Sequence, residues 1–179
     1  MKKTYVLDTN VLIQAPYAVE CFEENTVVLP MTVLEELDNM KKEEGEKGAN
    51  VRKVIRILDA HREKGNLLEG VRMEWGGILR VEKNYRNVEL PPDLPEHKSD
   101  NRILKVCVGL SNDLKEQVIL VTKDILLRIK AQLLGIQAED FGTEQVAVHE
   151  EQYLGRREVF VPEELFKDFK KKGVPVECV

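Results

Sequence analysis

The sequence predicts an α/β fold, a three-layer α/β/α domain built on a parallel sheet of about five strands. Short apolar runs alternate along the chain with longer segments in which apolar residues recur every three or four positions. Strands that alternate with helices favour parallel pairing, right-handed crossovers and helices on both faces of the sheet.

The elements follow from these two patterns in chain order. Each strand is a short apolar run, and the helices carry amphipathic periodicity or a capping residue at their start. The segment NVELPPDLPEHK at 87–98 is Pro-rich and aperiodic, which predicts a loop. The predicted elements are a strand at 4–7, a short helical region at 9–22 interrupted at Pro16, a strand at 26–29, helices at 33–42 and 49–64, a strand at 78–82, a helix at 99–111, a strand at 118–121, a helix ending at 134, and a short strand within 136–141.

Glycines and polar caps set the predicted helix boundaries. Gly45 and Gly48 are expected to separate the two helices of the first half, and Gly65 and Gly135 to end later ones. Ser99 is the expected N-cap of the helix that follows the Pro-rich loop. In the helix at 49–64, one apolar face is predicted from Val51, Val54, Ile55 and Leu58.

Composition indicates an ordinary globular protein in a reducing compartment. The 179 residues suffice for one full core, and 42% hydrophobic with 33% charged residues is typical of soluble domains. No stretch approaches the roughly 18 apolar residues of a membrane span, and the N-terminus is no signal peptide, so a cytoplasmic location is expected. The cysteines are odd in number and widely spaced, which favours reduced thiols. Neither they nor the histidines have metal-ligand spacing, so zinc is not expected: Cys21, Cys107, Cys178, His61, His97 and His149.

Charge divides the chain into two parts. The net charge of −5 belongs wholly to residues 1–150, because six acidic and six basic residues cancel in 151–179. We therefore expect a domain over 1–150, with 151–179 forming a connector or the start of a second domain.

Four acidic residues are expected to meet at one edge of the sheet. Asp8 and Asp124 each follow a predicted strand, and Glu36 and Asp100 lie near the starts of helices. Ligands of parallel α/β sheets bind outside the carboxyl ends of the strands. Clustered carboxylates repel one another unless a hard cation lies between them, so the pattern points to a divalent metal site.

Each of these acids also has a purely structural interpretation. Asp8 and Asp124 are good N-caps, and Asp100 could simply compensate the helix dipole. Thr32 and Glu35 have the spacing of a capping box, which gives Glu35 a structural role. At roughly 100° per residue, Glu36 projects about 60° from the buried Val33 while Glu35 points about 160° away. Glu36 is thus the site candidate of the pair.

The residues around the four acids carry a specific resemblance. DTNVLI, LPMTVLEELD, SDNRIL and VTKD resemble, in order, the four acidic motifs of the PIN-domain nucleases, over about residues 4–140. The sequences ELD and LGIQAEDF, with the tail at 151–179, look most like the N-terminal PIN module of PhoH-like proteins. In that family a P-loop ATPase follows the PIN domain, and no GxxxxGK[ST] motif occurs in this chain.

The resemblance implies a strand order of 3-2-1-4-5 and a metal-dependent ribonuclease acting on single-stranded RNA. It implies that Asp8, Glu36, Asp100 and Asp124 hold one or two Mg²⁺ or Mn²⁺ ions, with Thr9, Asn10 and Thr122 orienting them. Asp140 is a peripheral candidate. A P-loop ATPase domain of the parent protein and a second copy of the chain are the implied protein partners, and no membrane is implied.

Cations near the acids are candidates for guiding the RNA backbone, although each has an ordinary role as a solvated surface side chain: Lys41, Lys42, Lys47, Arg52, Arg102, Lys105 and Lys123. Tyr85 and Trp75 are the conceivable base-stacking aromatics, too few to support strong readout by stacking.

Two other functions remain open from the sequence. The chain could be a PIN-like RNA-binding or scaffold module of a larger ATPase, with weak catalysis or none. Phosphotransfer through an aspartate is the third hypothesis, but haloacid-dehalogenase-like folds need a second Asp two residues after the first, where this chain has Asn10.

Overall fold

The computed structural model describes residues 1–142, which form a six-stranded, mostly parallel sheet with helices around it. The strands are β1 (Lys3–Leu7), β2 (Thr26–Pro30), β3 (Val71–Arg72), β4 (Ile78–Glu82), β5 (Gln117–Val121) and β6 (Gln137–Glu139). The helices are α1 (Thr9–Gln14), α2 (Met31–Met40), α3 (Gly45–Arg62), α4 (Ser99–Asp113) and α5 (Ile125–Leu133), with a 3-10 turn at Ala18–Glu20. The segment predicted as a connector, 151–179, lies outside the described residues.

The sheet order is β3-β4-β2-β1-β5-β6. Without β3, this is the predicted 3-2-1-4-5 order of five parallel strands, so the α/β prediction is confirmed with one strand added. β3 pairs antiparallel with β4 through Val71 and Leu79, across a turn in which Gly76 has φ +87°. A strand of only two residues carries no detectable period-2 pattern, which is why the sequence did not predict it.

The central strands are buried on both sides, as a doubly covered parallel sheet requires. In β1 and β5 the last four residues are all buried, and Val6, Leu7, Ile119 and Leu120 are completely inaccessible. The two free cysteines of the described part, Cys21 and Cys107, lie within this core.

The helices use the predicted faces with two differences. Val33 and Leu37 of α2 are buried, Glu36 is half-buried and Glu35 is exposed, as the helical angles indicated. On α3, Val51, Val54 and Leu58 are buried, but Ile55 is exposed and does not belong to the core face. Helix α5 leaves an apolar stripe in solvent, formed by Ile125, Leu126, Ile129 and Leu133. Across residues 1–142, each helix is too short or too polar to cross a membrane.

Two predicted helix caps are wrong. Helix α2 begins directly at the end of β2, with Pro30 as N-cap and without a side-chain capping bond. Thr32 instead donates its hydroxyl hydrogen to Asn84 Oδ1 at 3.4 Å, and Glu35 lies 4.0 Å from Arg102 Nη1. Helix α4 begins at Ser99 itself, behind an N-cap at Lys98 that makes no side-chain capping bond. At α2, long-range partners and the strand-to-helix junction override the local capping pattern. At α4, the cap moves by one residue, from Ser99 to Lys98.

Candidate active site

The carboxyl ends of β1 and β5 place Asp8 and Asp124 beside each other in the sheet. The two strands pair in parallel from Lys3 with Gln117 to Leu7 with Val121, and each acid follows its strand. The backbone N–H of Asp8 donates to the carbonyl of Val121 at 3.0 Å, which continues the ladder to the edge. This is the point at which the strand order reverses, where parallel sheets form ligand sites.

Thr122 ties these two acids together. It is fully buried, and its hydroxyl donates to Asp8 Oδ2 at 2.8 Å. The same hydroxyl oxygen accepts the backbone N–H of Asp124 at 3.1 Å. A single side chain therefore fixes both the Asp8 carboxylate and the turn that carries Asp124.

Thr9 makes the corresponding link to helix α2. Its backbone N–H donates to Asp8 Oδ1 at 2.7 Å, and its hydroxyl donates to Glu36 Oε2. Three of the four acids are thus joined through two threonines that the sequence named as orienting residues. Asn10, named with them, has an exposed side chain.

Asp8 and Asp124 also fill the capping positions considered from the sequence. Asp8 is the N-cap of α1, and Asp124 caps α5 by accepting the N–H groups of Leu126 at 2.8 Å and Leu127 at 3.4 Å. Because an ionised carboxylate offers about four lone-pair positions, these bonds leave both groups able to accept further contacts. The capping role and a role in the site are compatible.

Asp8 is buried, with 4% of its surface exposed, and its pKa is raised to about 6. Burial is the largest cause, because it disfavours the charged carboxylate. The bonds from Thr122 and Thr9 oppose the rise, while the neighbouring charges of Asp100 and Glu36 add to it. Those two acids therefore lie near enough to Asp8 to repel its charge.

Asp100 joins the group through space, since no hydrogen bond links it to the other three. Its pKa is raised first by burial and then by Asp124 and Glu36, while Lys130 and Lys98 counteract the rise. All four acids therefore interact electrostatically within one region at the carboxyl edge of the sheet. Lys130, on the last turn of α5, is a neighbour that sequence reasoning missed. Its i+6 spacing from Asp124 gives no local signal.

Most of the cations proposed as backbone guides have other partners. Lys41 pairs with Asp38 at 2.6 Å, Lys47 with Glu43 at 3.1 Å, and Lys123 with the peripheral candidate Asp140 at 3.4 Å. Arg52 donates to the carbonyls of Lys41 and Glu43, both at 3.1 Å, near the end of α2. Lys42 is exposed. Arg102 and Lys105 also have acidic partners, Glu35 and Glu96, and both line a cleft along the first half of α4.

The two aromatic candidates lie away from the acids. The Tyr85 ring packs against Gly109, in the third turn of α4, and its hydroxyl bonds to Asp113 at the end of that helix. Trp75 is in the turn before β4, at the amino edge of the sheet. Stacking of bases on either ring at the four acids is not supported.

The carboxylates are an all-oxygen donor set, which suits hard cations such as Mg²⁺ or Mn²⁺. Within residues 1–142, no three carboxylate, imidazole or thiol groups lie close enough together to hold a metal ion in their present positions. Like charges that face one another without a counter-ion separate to the extent their side chains allow. The residues fit a divalent cation in donor chemistry, and binding would require the carboxylates to move closer together.

Comparison with known proteins gives one family. Residues 5–142 match the PIN domain. The chain is 46% identical to the protein PhoH2 of Bacillus subtilis over 97% of its length, and 39% identical to PhoH2 of Mycolicibacterium smegmatis over 82%. It spans only 40% and 34% of those two relatives. A PilT N-terminus domain protein from Sulfolobus solfataricus is structurally similar at a TM-score of 0.44 and 14% identity, covering 88% of this chain and 99% of that one. With its acids, strand order and sequence match all in agreement, the chain belongs to the PIN-domain family and resembles the PhoH-like proteins within it.

Proposed function

We propose that this chain is a divalent-metal-dependent nuclease that hydrolyses phosphodiester bonds of single-stranded RNA. PIN domains are generally nucleases, which sets the reaction class. The observation that carries the proposal is the linkage of Asp8, Glu36 and Asp124 by hydrogen bonds through Thr9 and Thr122, with Asp100 near enough to raise the pKa of Asp8. A fold keeps repelling, half-buried carboxylates together when they have a common ligand, and the ligand that suits them is a cation.

The proposed division of roles follows the contacts. Asp8 and Asp124 would bind the cation directly, since both are fixed by hydrogen bonds to Thr122. Glu36, oriented by Thr9, would bind it directly or through water. When bound, the metal would activate a water for in-line attack and stabilise charge on the phosphate oxygens.

Asp100 would have a separate role. It is the acid without a bond to either threonine, and Lys130 and Lys98 partly offset the repulsion on it. That environment suits a carboxylate that orients the attacking water and accepts its proton. Lys130 opposes the rise in the pKa of Asp100 that burial causes.

Replacement of Glu36 tests the proposal against its neighbour Glu35. The two carboxylates are adjacent on α2, but Glu36 faces Asp8 while Glu35 faces Arg102. With Mn²⁺ and labelled single-stranded RNA, E36Q is expected to lose at least about 100-fold in cleavage rate, the scale of a group that stabilises the transition state. E35Q should cleave within a few-fold of the wild type.

The controls separate a nuclease from a scaffold. D8N should abolish cleavage, and chelation of the metal should do the same to the wild type. Absence of cleavage by the wild type with Mg²⁺ and Mn²⁺, on RNA and on DNA, would refute the enzyme assignment for this chain. It would favour the alternative, an RNA-binding or scaffold module of a larger protein. That alternative draws support from the longer PhoH2 relatives, which have room for a further domain such as the P-loop ATPase.

A further inference from the structure

A second, positively charged cleft lies beside the four acids. It has a volume of about 280 Å³. Its lining contains three permanent cations, one carboxylate and two other polar side chains: Arg86, Arg102, Lys105, Glu96, His97 and Asn84. The whole chain carries a net charge of −5, so this cleft is a local exception that can attract anions.

The cleft opens at the same edge of the sheet as the acids. Asn84 follows the carboxyl end of β4, as Asp8 follows that of β1, and β2 lies between them. At about 4.8 Å per strand, β4 and β1 are roughly 10 Å apart. The cleft is therefore within reach of a short extended polymer that also occupies the acidic site.

Helix α4 carries residues of both sites, and on α2 two adjacent carboxylates face them separately. On α4, Asp100 and Arg102 project roughly 160° apart, at 100° per residue. On α2, Glu36 faces Asp8 and Asp100, whereas Glu35 faces Arg102. A strand that leaves the acids past Glu35 and Arg102 would enter the cleft.

The cations of the cleft are held in place. Arg102 Nε donates to the carbonyl of Glu96 at 3.0 Å, and its Nη1 lies 4.0 Å from Glu35 Oε2. Lys105 is 8% exposed and donates to Glu96 Oε1 at 2.8 Å, so it neutralises the one carboxylate in the lining. Asn101, itself buried, holds the Pro-rich loop by donating to the carbonyl of Pro95 at 2.8 Å.

Arg86 is the cation that is left available. It is exposed and forms no ion pair with another residue of the described chain, 1–142. Arginine matches phosphate oxygens with two parallel N–H donors and is the residue suited to such contacts. Arg86 and Arg102 line the same cleft, so both guanidinium groups can donate to a phosphate bound there.

We propose that this cleft binds a backbone phosphate of the nucleic-acid strand whose reactive phosphodiester lies at the four carboxylates. The identity of the strand as substrate rests on the proposed function, whereas the binding of a phosphate rests on the cleft alone. The cleft adds affinity that the acidic site cannot supply, since four carboxylates repel the strand. It also fixes the direction in which the strand crosses the edge of the sheet.

Binding of a strand, measured without cleavage, tests this directly. We would follow the anisotropy of fluorescent oligouridylate and oligothymidylate with the 179-residue chain in D8N background, over a range of salt concentrations. R86Q is expected to weaken binding about tenfold and to lower the salt slope by about 0.7, the value for one phosphate contact of a single strand. R102Q should have a similar effect.

The matched control is R72Q, which removes an exposed arginine at the opposite edge of the sheet, where Arg72 pairs with the first residue of β4. It should leave affinity and salt slope unchanged. Circular dichroism melting of each variant shows that the fold persists. Equal affinity for both oligonucleotides places the contact on phosphate, and a preference for oligouridylate that persists against oligodeoxyuridylate adds the 2′-hydroxyl.

Several outcomes would overturn the proposal. One is binding by R86Q and R102Q that equals that of the D8N parent in affinity and salt slope. Another is absence of strand binding by the parent, or binding of inorganic phosphate that depends on Arg86 while strand binding does not. Cleavage assays distinguish the two proposals. If the chain cleaves RNA and R86Q changes neither binding nor cleavage, only the proposal for the cleft is refuted. If the chain binds the strand through Arg86 but does not cleave it, only the nuclease proposal is refuted.

Discussion

Burial of the charged Asp8 carboxylate destabilises the folded protein. Burial raises its pKa from 3.8 to about 6, which means that the folded chain holds the Asp8 proton more tightly than the unfolded chain does. The hydrogen bonds from Thr122 and Thr9 reduce this cost without cancelling it. Carboxylates whose pKa is shifted in this way are common at functional sites, including those that bind a charged ligand.

Asp8→Asn is expected to stabilise the metal-free protein at neutral pH. Between about pH 4 and pH 6 the folded wild type binds more protons than the unfolded chain, so its stability falls as the pH rises through this window. Above the pKa of Asp8 in the folded protein, this loss of stability is complete. D8N cannot carry the buried charge, so its free energy of unfolding should exceed that of the wild type by about 1 to 3 kcal/mol, because one pKa unit corresponds to about 1.4 kcal/mol. Urea denaturation in chelator at pH 4 and pH 7 measures the difference, which should nearly vanish at pH 4.

Asp38→Asn provides the control for that experiment. Asp38 is exposed and, among residues 1–142, forms an ion pair with Lys41 alone, so its replacement should change the free energy of unfolding by less than about 1 kcal/mol at either pH. If D8N and the wild type lost stability in parallel between pH 4 and pH 7, the cost assigned to Asp8 would be refuted.

At the scale of elements, periodic patterns predicted the sheet and its helices, while capping patterns predicted the starts of α1 and α5 but not those of α2 and α4. Strands of four or five buried residues and the amphipathic face of α2 depend on their own sequence, so they were foreseeable. The hydroxyl of Thr32 and the carboxylate of Glu35 have partners at Asn84 and Arg102, which are distant in sequence. The cleft was missed for the same reason, because the conformation of the Pro-rich loop creates it.

Helix α4 has one position where helix propensity and packing disagree. Gly109 lies in its interior, where alanine would ordinarily gain up to about 1 kcal/mol. A Cβ atom at this position would approach the Tyr85 ring to 2.2 Å, and the Tyr85 hydroxyl is held by Asp113. We therefore expect Gly109→Ala to destabilise the protein by about 1 to 3 kcal/mol, the usual range for overpacking.

Thermal or urea denaturation of G109A, Y85A and the double variant checks this packing. Removing the ring should eliminate most of the cost of the added methyl group, so that G109A is far less harmful in a Y85A background. A cost of G109A that stays the same with and without the ring would show that Tyr85 is not its cause.

At the scale of the whole molecule, the sheet topology brings together acids that are far apart in the sequence. The four acids are spread from position 8 to position 124, and the parallel order of β2, β1 and β5 brings their neighbourhoods to one edge. The alternating pattern and the motif resemblance were enough to predict this gathering. The positions of the carboxylate oxygens were not predictable, since they depend on Thr9 and Thr122 and on a charge balance that includes Lys130.

If the site binds a divalent cation, the folded protein as a whole should become more stable. A ligand bound only by the folded state adds about 2.7 kcal/mol at one hundred times its dissociation constant. Mn²⁺ or Mg²⁺ should therefore raise the melting temperature of the wild type and relieve the repulsion on Asp8, so the effect should weaken below about pH 6, where Asp8 is protonated. D8N and E36Q should lose most of this shift, while E35Q keeps it because Glu35 faces Arg102. Equal metal-induced shifts in E36Q and E35Q would place the cation elsewhere, and would separate the repulsion among the acids from metal binding.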